Sequence, residues 1–405
     1  MRMHILLMLG LAAGPACTPD VDTDTDTGAE TDTSAVTSAG TSAGVATIGG
    51  GDENPYVLGD HASEVCLGAM ARAGEFLAAT AADDAAAAAS AYVDPLRAYI
   101  HALDAGSGRA DDAAIIDALA EGGPTGAALA EGHLHAALAA HLRAELAAVA
   151  EKDTPDKYTA WDEAYCVWSG GLRELGDRVD AKLVLGGFPI LSIENFFHFG
   201  HQAISGEPPA TSIDEWIGPS NIQQIEKTLL RAAHHDIFLH ADQAWGATDG
   251  TAAARARGVL AVVRDQIEGR NTPGLAAIEA MLTGDPSLID ARFVLFELDI
   301  AFAKHAREAV DQTAAAGFGS PASHAHAVAG RGYAEILAPG MIADSPKIDT
   351  YPSYVDWDRY IALARHGDDD AEALAVGQRL IDFTCAYQTA LGVAACTGTD
   401  DEPQP

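Results

Sequence analysis

Positive charge, aromatic rings and cysteine are all scarce in this chain. Lysine and arginine number 24 against 59 aspartates and glutamates, a formal net charge of −35 over 405 residues. No basic stripe is left to displace counterions from a nucleic acid or to hold an anionic membrane surface, so neither is a partner. Cations are what such a surface attracts. Aromatic residues make up 6% of the chain and β-branched residues are sparse, with no alternating runs between turn dipeptides, which excludes a sheet-dominated protein. The five cysteines contain no C-x2-C pair, against a zinc ribbon. A phosphate-cradling loop, a Gly-x-Ser-x-Gly elbow and a His-Glu-x-x-His helix are also missing, so hydrolase chemistry by those routes has no support.

The N-terminus carries an address. Met1-Arg2-Met3-His4 supplies one cation, and the apolar stretch Ile5 to Ala13 is too short to span a bilayer, which reads as a secretory signal over 1–16. Gly14-Pro15-Ala16-Cys17 places small residues before a cysteine, as a bacterial lipoprotein box does, with an ordinary cut after Ala16 as the alternative. The expectation is an exported cell-envelope lipoprotein held to the membrane by acylated Cys17. Residues 17–55, with Asp20, Asp22, Asp24 and Asp26 and then Ser-Ala-Gly units, are too polar to order by burial and read as a flexible acidic linker. Gly28 is misplaced for a calcium loop starting at Asp22. A disordered tail is expected over 397–405. Cys66, Cys166, Cys385 and Cys396 remain as disulfide candidates, with three connectivities open and Cys385 to Cys396 the simplest.

From residue 60, apolar residues recur at helical spacing between Gly/Pro punctuation. Helices are predicted near 61–82, 85–105, 125–151, 155–180, 190–204, 219–245, 249–268, 273–315 with a break at Gly284-Asp285-Pro286, 321–343, 353–365 and 368–395. Ile222, Ile225, Leu229, Ala232 and Ala233 form the stripe of a helix buried on one side. The fold class is therefore all-α, a helical bundle. Thr154-Pro155 before Ala160–Tyr165, and Ser320-Pro321 before Ala327–Tyr333, each follow a helix with a His-x-Arg element (His141, Arg143; His305, Arg307). This faint repeat suggests two related bundles from an internal duplication, 56–250 and 251–396.

Three groups of side chains bear chemistry. On a helix capped by Ser192, Glu194, His198 and His201 share one face, and one carboxylate with two imidazoles suits ferrous iron, manganese or zinc. Asp236 and His240, four apart, continue the apolar face of their helix into the interior, while His234 and His235 point elsewhere, towards the surface. A buried carboxylate must be paired, protonated or metal-bound. Glu131 with His135, and His141 with Glu145, are similarly spaced on the helix before Asp162 and Glu163. Trp161, Tyr165, Trp168 and Leu172 form an aromatic stripe suited to core packing.

At Ala160-Trp161-Asp162-Glu163-Ala164-Tyr165, after a long helix with histidines, the chain resembles the periplasmic iron-assimilation proteins first known from algae, whose broader kin are imelysin-type helical bundles. The resemblance implies a duplicated all-helical fold exported for iron uptake, with Asp162 and Glu163 as acidic motif residues. The second half has Gly330 and Arg331 at the matching positions, so the pair carries over once only. The imelysin Gly-x-His-x-x-Glu pattern is not met at Gly200-His201, whose next acid is Glu207. The expected function is capture of iron, or another divalent cation, by Asp/Glu/His ligands, for an envelope transporter or redox partner the sequence does not name. A metal-dependent oxidase or hydrolase on the same bundle is one alternative, and a structural or interaction lipoprotein without metal is another.

Overall fold

Short polar caps decide where the helices of this alanine-rich chain begin. The computed structural model describes residues 56, 61–151, 156–182, 192–205, 216–344, 351–390 and 396. The expected signal segment, Cys17, the expected linker and the expected tail after Cys396 lie outside the described residues. Helix α1 (Glu64–Ala81) starts where Ser63 Oγ accepts the Cys66 amide at 3.0 Å. The helix expected over 85–105 is two, α2 (Ala85–Ala91) and α3 (Leu96–Ser107), because Pro95 cannot continue a helix. Helix α4 (Asp111–Glu121) went unpredicted. Ala110 before it offers no cap; instead Asp104 on α3 accepts the amides of Asp111 and Asp112 at 3.0 and 2.8 Å.

A long α5 (Gly123–Glu151) precedes α6 (Asp156–Val167), which runs through a π-helical turn at Trp168–Leu172 into α7 (Arg173–Lys182). Next come α8 (Ile193–Ser205), α9 (Ile217–Ala247) and α10 (Gly250–Ile267), the last capped by Asp249 Oδ1. The stretch 273–315 breaks where the sequence suggests, into α11 (Thr272–Thr283), a 3-10 turn at Pro286–Leu288, and α12 (Ala291–Ala315), whose first amides bond Asp290. Finally, α13 (Pro321–Asp344), α14 (Tyr351–His366) and α15 (Asp370–Ala390) complete an all-α chain with no strand among the described residues. None of these helices is long and apolar enough to cross a membrane.

Helix α9 is the axis of the molecule. It packs against α5, α7, α8, α10, α12 and α13, and every side chain from Lys227 to Ile237 is buried. The expected one-sided stripe is thus corrected for the middle of the helix: over Lys227–Ile237 neighbours cover α9 on all sides, including its polar residues. His234 and His235, expected at the surface, are interior for the same reason. The main core runs from Tyr56 to Tyr387, on both sides of residue 250, and a smaller one gathers Trp357 and Tyr360 between α12, α14 and α15. All described residues belong to one compact unit, 48–405.

Glycine sets two close approaches. A Cβ on Gly132 of α5 would overlap the backbone of Gly258 on α10, and one on Gly200 would overlap the Trp161 ring. The aromatic stripe of Trp161, Tyr165, Trp168 and Leu172 is core, with Trp161 Nε1 donating to the Phe197 carbonyl at 3.1 Å.

Candidate metal centre

Residues four apart on a helix share a face, and both α5 and α9 use this spacing to aim an acid and a histidine inward. Glu131 and His135 come from α5, Asp236 and His240 from α9, and none is more than 3% exposed. Arg178 of α7 lies between the two pairs. Its Nη1 donates to Glu131 Oε1 at 2.6 Å and its Nη2 to Asp236 Oδ2 at 2.9 Å, while Glu174 Oε1 is 3.4 Å from Nη1. His240 Nε2 stands 3.4 Å from Asp236 Oδ1.

The electrostatics follow from burial around one guanidinium. Burial favours the neutral Glu131 carboxyl, but Arg178, with His135 and Thr80, outweighs it and holds the group below the usual carboxylate range. Burial pushes the His135 imidazole down to about 4 against the pull of Glu131, so the ring is neutral at pH 7. Burial disfavours the Arg178 charge, yet Asp236 and Glu131 overcome it and raise its pKa. The buried carboxylates of Glu131 and Asp236, with the more exposed Glu174 beside them, share one guanidinium, so positive charge is in deficit. Both ring nitrogens of His135 and Oε2 of Glu131 lack a hydrogen-bond partner among the described residues. A neutral imidazole and carboxylate oxygens are donor types that iron(II), manganese(II) or zinc accept, but no three ligand atoms of Glu131, His135, Asp236 and His240 lie within 4.8 Å of one another, so side chains would have to move to close on an ion. In the arrangement seen, Arg178 holds one oxygen of each carboxylate, so an ion would enter by displacing it.

The other predicted ligands have other work. Asp162 accepts the Tyr56 hydroxyl at 2.6 Å and the His61 amide at 3.2 Å, and Glu163 accepts the Ser63 amide at 2.9 Å. This pair therefore fastens the segment leading into α1. Cys166, one turn further along α6, is disulfide-bonded to Cys66 of α1, and Cys385 to Cys396. On α8, the face of Glu194, His198 and His201 is half-buried: Glu194 pairs with Arg173 at 2.7 Å, His198 Nε2 meets Gln202 Nε2 at 2.9 Å, and the His201 ring sits 5.5 Å from that of Tyr56. Among the described residues, the one group of three or more His, Cys, Asp or Glu ligand atoms within 4.8 Å of one another is Cys66, Glu163 and Cys166. Its sulfurs are joined to each other and are not thiolates, the form that binds metal.

A second interior polar centre flanks α9. Asp299 of α12 receives His234 Nε2 at 2.8 Å on one oxygen and the Tyr387 hydroxyl at 2.6 Å on the other, tying α9, α12 and α15 together. Burial, then His234 and Arg231, drives His235 well below its usual range.

Sequence reasoning weighed Glu131 and His135 but did not join them to Asp236 and His240, and it missed Arg178. The signal was there: acid-x-x-x-His occurs at 131–135, 194–198 and 236–240. Depth separates the three, since the first and last are buried and face each other whereas the middle one borders solvent. The chain matches no known family model, no curated protein and no solved structure.

Proposed function

We propose that this protein captures a divalent transition-metal ion, iron(II) foremost, between Glu131, His135, Asp236 and His240, with Arg178 as the cation that fills the centre when no metal is bound. The carrying observation is the buried His135 ring, neutral and with neither nitrogen hydrogen-bonded among the described residues, one turn of α5 from Glu131. The acidic surface would raise the local concentration of cations. The two disulfides suit an oxidising compartment, which supports export and an envelope location; the resemblance to iron-assimilation proteins and the Cys17 lipoprotein box point the same way.

The test is metal content and thermal unfolding of the purified protein after anaerobic loading with iron(II), manganese(II) or zinc. Ligand that binds only the native state adds about 2.7 kcal/mol at a hundredfold excess over Kd. A stoichiometric ion and a raised Tm are expected in the wild type and in Glu194→Ala/His198→Ala, and both are lost in His135→Ala/His240→Ala. If the α8 double variant loses the ion and the interior one keeps it, the site is wrong. A second reading is favoured by the position of Arg178 itself: an ion network that only organises the core. That reading holds if saturating metal leaves the Tm of the wild type unmoved.

A further inference from the structure

Arg307 of α12 is 2% exposed, and no carboxylate pairs with it among the described residues. Its Nη2 donates to Gln388 Oε1 of α15 at 2.8 Å, while Nε and Nη1 find no partner among the described residues. Other inward arginines are answered by acids: Arg178 by three, and Arg231, also buried, by Glu335 at 3.6 Å. In a chain with 59 acidic residues, an interior guanidinium left to an amide is a costly exception. The neighbouring acids are engaged, Asp299 by His234 and Tyr387 and Glu308 by Arg270. No carbonyl of the described residues accepts from Nε or Nη1.

We infer that Arg307 and Gln388 form a binding site for a small oxyanion, of the phosphate or carboxylate class, at the seam of α12 and α15. A guanidinium offers such an anion two parallel N–H donors in one plane. The Gln388 amide adds a further N–H beside them. Burial depresses the Arg307 pKa to about 10 with no acid to oppose it, which leaves the group charged at neutral pH and in want of a counter-ion. This site is separate from the metal centre and does not depend on it.

The experiment is thermal unfolding of the full chain in phosphate, sulfate, acetate or formate, each against chloride at matched ionic strength, with Arg307→Gln and Arg307→Lys alongside. A saturable rise in Tm is expected for the wild type with at least one oxyanion. Phosphate and sulfate acting alone would assign a tetrahedral ligand; acetate and formate acting alone, a carboxylate. Arg307→Gln should abolish the rise while being no less stable than wild type in chloride, because it removes an uncompensated charge. Arg307→Lys, which keeps the charge without the planar fork, should weaken apparent affinity at least tenfold. An equal response in the wild type and Arg307→Lys overturns the proposal, as does the absence of any oxyanion-specific rise in the wild type. Should Arg307→Gln not fold, Gln388→Leu takes its place, with loss of the rise expected and an unchanged rise overturning the site.

Discussion

Gly132 of α5 and Gly258 of α10 meet backbone to backbone, with no room for a methyl group between them. The contact lies one residue from Glu131, so the crossing that brings α5 down onto α10 also fixes the face of α5 that carries Glu131 and His135. Gly132→Ala should therefore destabilise the protein by about 1–3 kcal/mol or more through overpacking. Gly74→Ala, in α1 with nothing near its absent Cβ, should stabilise by up to about 1 kcal/mol. Chemical denaturation of the two variants reads both signs.

Removal of Arg178 tests the interior ion group from the other side. Arg178→Met leaves Glu131 and Asp236 buried without their cation, and breaking such a pair costs about 3–5 kcal/mol. Divalent metal should restore part of the loss if the centre takes an ion. A variant as stable as wild type in metal-free buffer would show that the guanidinium contributes little.

Acid should weaken the fold from about pH 6.5 downwards through His135. His135 has its pKa lowered from 6.5 to about 4 by burial, so in the unfolded chain it takes up a proton that the native state refuses. That contribution is complete above about pH 6.5 and is lost as the pH falls towards 4; it is on the order of 3 kcal/mol. His235, buried and lowered likewise, adds a slope of the same sign. Unfolding free energy measured from pH 7 to 4 should fall less steeply in His135→Leu than in wild type; parallel curves would contradict the assignment.

Substitution at Asp162 separates a ligand role for the Asp162–Glu163 pair from a local fastening role. Asp162→Ala takes the acceptor from Tyr56 and the His61 amide, a loss of about 1–3 kcal/mol. Faster amide exchange around residues 61–66 with metal content unchanged is the expected pattern. Loss of metal without faster exchange would instead make the pair ligands.

The two disulfides should differ in worth. Cys66–Cys166 spans 100 residues and Cys385–Cys396 spans 11. The loop-entropy estimate is about 4.7 kcal/mol for a hundred-residue loop and about 3 kcal/mol for one of fifteen. Cys66→Ser/Cys166→Ser should lower the Tm more than Cys385→Ser/Cys396→Ser does.

Most of the helices were legible because their ends are written locally: Ser63, Asp249, Asn271 and Asp290 each sit just before the amides they cap. Helix α4 was not, since its cap, Asp104, belongs to the preceding helix. Asp236 and His240 were readable as inward because they extend an apolar face. Arg178 was not, because on a helix as polar as α7 nothing in the spacing says which cation turns inward. The one-sided stripe read for α9 failed for a related reason: periodicity reports the apolar face, not how many neighbours arrive on the others.

The Cys66–Cys166 bond also has a mechanical meaning. Load drawn through the chain upstream of Tyr56 first meets two carboxylates of α6 gripping Tyr56, His61 and Ser63, and then a covalent link to that same helix. A pull strong enough to strip the noncovalent grip still stops at Cys66, so the rest of α1 is shielded from peeling, and the force passes into the bundle through α6.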